Sequence, residues 1–76
     1  MTTKAYVLIE TQVGGTKQVV DTIRKLPEVV SVDSVTGPYD AIAIVQAETV
    51  NDIGTLIVEK VHPAGGVSRT VTCLIL

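Results

Sequence analysis

Val29-Val30-Ser31-Val32-Asp33-Ser34-Val35-Thr36-Gly37-Pro38-Tyr39-Asp40-Ala41-Ile42-Ala43-Ile44-Val45 is the stretch that decides the fold. Two short runs rich in β-branched and apolar residues, 29–35 and 41–45, flank a Gly-Pro corner, and they read as the two strands of a hairpin. The second run is apolar at every position, so it has apolar residues on both faces of its sheet. The corner itself holds a glycine, a tyrosine and a carboxylate, and it is the best place in the chain for a small ligand.

Outward from this hairpin, the chain repeats one unit on each side. Residues 4–11 form a first strand around Ala5-Tyr6-Val7-Leu8-Ile9, broken by Gly14-Gly15. Residues 16–26 then place Val19, Val20, Ile23 and Leu26 on one side at helical spacing, with Lys17, Asp21, Arg24 and Lys25 opposite. Pro27 ends that helix. After the hairpin, Thr49 and Asp52 have the spacing of a capping box, and Val50, Ile53, Ile57 and Val61 make the buried stripe of a second helix. Gly54 inside it costs up to about 1 kcal/mol against Ala, which points to a close approach of helix and sheet. His62-Pro63 closes the helix, Gly65-Gly66 turns the chain, and residues 67–76 make the last strand.

The order β-α-β-β-α-β predicts an α+β, ferredoxin-like domain over residues 1–76: a four-stranded antiparallel sheet with both helices on one face. A sheet covered on one side normally alternates apolar and polar. The first and third strands do not, so the uncovered face is expected to pair with the sheet of a second copy. Composition agrees. A chain of 76 residues buries only about 60% of its unfolded surface, yet 46% of its residues are hydrophobic. The excess predicts an oligomer.

Other classes are excluded in turn. Net charge is −2 and the six Lys and Arg are scattered, which argues against direct nucleic-acid binding. No apolar run is long enough to span a membrane, and nothing reads as a signal peptide. A single Cys73 excludes an internal disulfide, and the expectation is a cytoplasmic protein. One His62 at a helix end and no clustered Cys predict no metal and no cofactor. Without a paired acid and base the chain is not expected to be an enzyme.

The element order, the Pro27-Glu28-Val29 lead-in to the second strand and the run Val35-Thr36-Gly37-Pro38-Tyr39-Asp40 resemble the effector-binding domain of the leucine-responsive/asparagine (Lrp/AsnC) regulators, also called the RAM domain. Gly66-Val67-Ser68-Arg69-Thr70-Val71-Thr72 is similar to the family's closing Gly-Val-x-x-Thr-x-Thr strand. Family regulators place a helix-turn-helix domain before this module, and here the first strand begins within a few residues of Met1. The resemblance therefore implies a stand-alone effector-binding module. It also implies dimers arranged as a ring, octamer or decamer, with a free amino acid bound between dimers and full-length Lrp/AsnC regulators as further partners.

The residues expected to bind that ligand are Gly37, Tyr39, Asp40, Ser68, Thr70 and Thr72. Gly37 permits a positive-φ turn and bares backbone N–H groups to an α-carboxylate. Pro38 beside it has no N–H to offer. Asp40 has two readings: a bond to the turn backbone, or a counter-charge for an α-ammonium. Tyr39 packs at a subunit contact or forms a pocket wall. Ser68, Thr70 and Thr72 alternate and so share one side of their strand, as a half-exposed polar face or as a row of ligand hydroxyls. Arg69 points the other way, toward an ion pair; Cys73 reads as inert packing; Asp33 and Glu48 read as solvated connections. A pure interaction module that co-assembles with DNA-binding relatives is the alternative, and the missing donor at Pro38 is its mark.

Overall fold

The computed structural model describes residues 2–76. Its elements run β1 (Thr3–Thr11), α1 (Thr16–Arg24), β2 (Val29–Ser34), β3 (Ala41–Ala47), α2 (Val50–Leu56) and β4 (Val67–Leu74), with a π turn (Ile57–Val61) continuing α2. The sheet order is β2-β3-β1-β4, and all three pairings are antiparallel. This is the β-α-β-β-α-β ferredoxin-like architecture that the hairpin and its flanks predict.

The helices cover one face. Ala5, Val7 and Ile9 of β1 and Ala41, Ala43 and Val45 of β3 are buried beneath Val19, Val20 and Ile23 of α1 and Ile53, Leu56, Ile57 and Val61 of the second helical segment. The alternate positions Tyr6, Leu8, Ile42 and Ile44 lie on the opposite, uncovered face, where Tyr6 is 45% exposed. The central strands are therefore apolar on both sides.

Boundaries differ in detail. α1 stops at Arg24, two residues before the expected end, because Lys25 and Leu26 donate to Thr22 and Ile23, tightening the last turn ahead of Pro27. Leu26 still packs against the core. β4 ends at Leu74, although the Ile75 N–H continues the ladder to the Lys4 carbonyl at 2.9 Å. Both outer strands carry one extra residue. Val30 lies between Val29, opposite Val45, and Ser31, opposite Ile44; Ser68 lies between Val67, opposite Thr11, and Arg69, opposite Glu10.

The second helix corrects two expectations. Its buried stripe is Ile53, Leu56, Ile57 and Val61, while Val50, at the first turn, is 55% exposed. Thr49 does cap the helix, its Oγ1 accepting the Asp52 N–H at 3.1 Å. Gly54 does not mediate close packing: a Cβ built there meets nothing within 4 Å. α2 lies over β3 and β1 and leaves a groove on its β4 side.

Candidate functional site

The corner is a six-residue connection, 35–40, closed by the Val35 N–H donating to the Asp40 carbonyl at 3.0 Å. Gly37 sits at φ +141°, a backbone region that a side chain strains, so the turn itself requires glycine. Thr36, Gly37 and Pro38 are exposed; Tyr39 and Asp40 are half-buried. Among the described residues, the N–H groups of Thr36, Gly37 and Tyr39 donate to nothing in the chain.

Asp40 is fixed by its neighbours rather than by its own turn. Its N–H donates to the Ile9 carbonyl at 2.9 Å, and its Oδ2 accepts the Thr11 N–H at 2.8 Å. β3 begins one residue later, so at Thr11 the first strand has run past its neighbour; the carboxylate supplies the acceptor that the ladder lacks there. Oδ1 makes no bond within the chain and is not a buried unpaired atom. One oxygen belongs to the scaffold and the other is left without a partner in the chain.

The hydroxyl row divides. Thr70 and Thr72 stand opposite Ile9 and Val7, which places both on the helix-covered face. Ser68 is the extra residue of the bulge and has no partner in the ladder. Thr70 Oγ1 is 3.0 Å from His62 Nε2, so this hydroxyl joins β4 to the end of the π turn. Thr72 lines the groove between α2 and β4, about 360 Å³ in volume, together with Leu74, Gly54 and the exposed Val50 and Val58. Ala41, next to the corner, and Thr70 flank Ile9 on opposite sides, so β1 stands between the corner and the threonines.

Several residues depart from their expected roles, and others went unforeseen. Cys73 is exposed on the uncovered face, not packed. Arg69 does form an ion pair there, Nη1 lying 3.8 Å from Glu10 Oε2. Two links were not foreseen. Thr11 Oγ1 lies 2.7 Å from Thr16 Oγ1, tying the end of β1 to the first residue of α1. Lys60 Nζ donates to Glu28 Oε2 at 2.8 Å, and this bond, reinforced by a backbone one, holds the Glu28 carboxyl below its ordinary value. Nothing in local sequence signals contacts spanning 29 and 32 positions.

Among the described residues no three His, Cys, Asp or Glu side chains gather as metal ligands, and no helix is long and apolar enough to cross a membrane. The model of the Lrp/AsnC ligand binding domain family matches residues 4–76. An uncharacterised helix-turn-helix-type transcriptional regulator of Pyrococcus furiosus is 37% identical over 56 residues, 74% of this chain. The chain spans only 37% of that regulator's length over the matched region. A crystal structure from Thermus thermophilus superposes with a TM-score of 0.92 at 34% identity, covering 97% of this chain and 92% of the other. A Neisseria meningitidis transcriptional regulator solved in complex with L-Met has the same fold: TM-score 0.89, 18% identity, 97% of this chain and 49% of that one. The Pyrococcus and Neisseria proteins are transcriptional regulators, and the matched family is a ligand-binding one, not a catalytic one.

Proposed function

This chain belongs to the Lrp/AsnC ligand-binding domain family, and we propose that it is an oligomeric module that senses a free amino acid. The observation that supports this most directly is the corner at residues 36–40. It holds the N–H groups of Thr36, Gly37 and Tyr39 and the Oδ1 of Asp40, all without partners in the chain. Donors for a carboxylate next to an acceptor for an ammonium suit a zwitterion. The fold neighbour holding L-Met has a ligand of this class.

A second copy completes the assembly. Tyr6, Leu8, Ile42, Ile44, Val71 and Cys73 make the uncovered sheet face apolar, and sheet-to-sheet pairing buries it. Dimers then join as a ring, octamer or decamer, that brings the corner of one subunit and the Ser68, Thr70 and Thr72 strand of another to a shared interface. A ligand bridging two dimers binds only the assembled form, so it shifts the assembly equilibrium by its differential affinity. Tyr39, half-buried at the corner, forms part of that contact.

A panel of the common amino acids tested by thermal shift checks the reading. Ligand at 100 times its dissociation constant adds about 2.7 kcal/mol, a large displacement in so small a domain. A selective shift supports the sensor. Pro38, which removes one donor from the corner, favours a second reading in which the chain co-assembles with full-length regulators and binds nothing. A flat panel from an intact oligomer selects it.

A further inference from the structure

We infer that Thr11 is the positioning residue of the amino-acid corner and the link by which that corner bears on helix α1, an inference that rests on the sensor reading. Asp40 has to hold one oxygen outward in a fixed place to meet an ammonium group. A carboxylate at a strand end is otherwise free to rotate. Here its Oδ2 is held by the Thr11 N–H at 2.8 Å while its main chain is held by Ile9 and Val35.

Thr11 is itself clamped from two sides. Its hydroxyl pairs with Thr16 Oγ1 at 2.7 Å, and Thr16 opens α1. The next residue, Gln12, donates its N–H to the Gly66 carbonyl at 2.8 Å, on the lead-in to β4. Its carbonyl accepts from Gly15 at 2.9 Å, closing the turn. Gly66 lets the lead-in to β4 pass close to α1, since a Cβ there would stand 3.1 Å from Val19 Cγ2. The short segment 11–16 therefore touches both regions that this chain contributes to the proposed interfaces, the Asp40 corner on one side and the Ser68 bulge on the other.

Occupation of Asp40 Oδ1 restrains Asp40, through it the Thr11 N–H, and through the hydroxyl pair the first turn of α1. The linkage is reciprocal: whatever loosens the Thr11–Thr16 pair weakens ligand binding by the same factor that binding tightens α1.

The test uses the intact oligomer and four variants, Thr11→Val, Thr11→Ser, Thr16→Val and the double variant Thr11→Val/Thr16→Val. Affinity for L-methionine and the other common amino acids is measured by calorimetry, and amide exchange is measured without ligand. Thr11→Val keeps the N–H and the strand preference but loses the hydroxyl, and it is expected to weaken binding by about 3- to 10-fold. Thr11→Ser restores it. Thr16→Val matches Thr11→Val, and the double variant is no worse than either, because one shared contact is lost. Exchange at the Asp40 amide and in residues 16–19 rises in both valine variants. Wild-type affinity in Thr11→Val, or additive losses in the double variant, overturns the inference. If the wild type binds no amino acid the sensor reading falls, and unchanged exchange at Asp40 in Thr11→Val then overturns the positioning role separately.

Discussion

Asp40 accepts the Thr11 N–H through one carboxylate oxygen and leaves the other without a partner in the chain, so a single side chain both finishes the sheet and keeps an acceptor free. The backbone bond expected from sequence is to the carboxylate's own turn; it bonds the backbone of β1 instead, and the proposed ammonium contact falls to the other oxygen.

Substitutions at Asp40 separate those roles. Asp40→Asn keeps an acceptor for Thr11 and loses the charge; it should melt near the wild type and lose its amino-acid response. Asp40→Ala leaves the Thr11 N–H unpaired and should cost about 1–3 kcal/mol as well. Thermal melts with and without the amino-acid panel distinguish the two. A normal response in Asp40→Asn removes the ammonium role.

Neighbouring residues of β3 give opposite outcomes. Val45 is fully buried against the helices, and a charge there should unfold the domain, a loss above about 4 kcal/mol. Ile44 lies on the uncovered face, so Ile44→Asp should leave a folded chain and abolish the dimer. Circular dichroism and sedimentation of both variants check this. A folded Ile44→Asp that still dimerises excludes sheet-to-sheet pairing.

Gly54 is a helix-interior glycine with open space at its missing Cβ. Gly54→Ala should therefore raise stability, by up to about 1 kcal/mol, in denaturant titrations. A loss of stability would mean that something outside this chain approaches the helix backbone from the groove.

The Glu28–Lys60 pair predicts an acid dependence. Lys60 lowers the Glu28 pKa in the folded chain, so the pair's contribution is complete above the ordinary carboxylate value of 4.5 and is lost as pH falls through the lower folded value. The half-exposed geometry limits it to about 0.2–1 kcal/mol. Comparing Lys60→Met with the wild type by urea titration from about pH 7 downward should show a difference that shrinks as pH falls below 4.5. A difference that persists there assigns the effect to packing.

The element order was legible because Gly14-Gly15, Pro27, the Gly37-Pro38 corner and Gly65-Gly66 punctuate runs of clear period. The apolar second face was legible too, since a run such as Ala41 to Val45 leaves no polar side. Less was visible in the second helix. Val50 and Leu56 are equally apolar, and only the position of α2 over β3 and β1 exposes one and buries the other. For the site, sequence singled out Asp40 but not Thr11, because their contact joins positions 29 residues apart and uses a main-chain N–H that every non-proline residue has. The threonine row was correctly placed on one side for Thr70 and Thr72. Ser68 escaped the pattern because a bulge breaks a period of two.

The extra residues at Val30 and Ser68 fall on the two rims of the sheet, while the inner pair β1 and β3 runs without a shift. A rim interrupted in this way is a poor template for another strand, so copies of the chain are discouraged from extending one another's sheets. The apolar face between those rims is the surface on which the proposed dimer rests, and a face-to-face pair covers it on both copies. Interrupted rims thus work against strand-by-strand lengthening in a chain rich in valine and isoleucine.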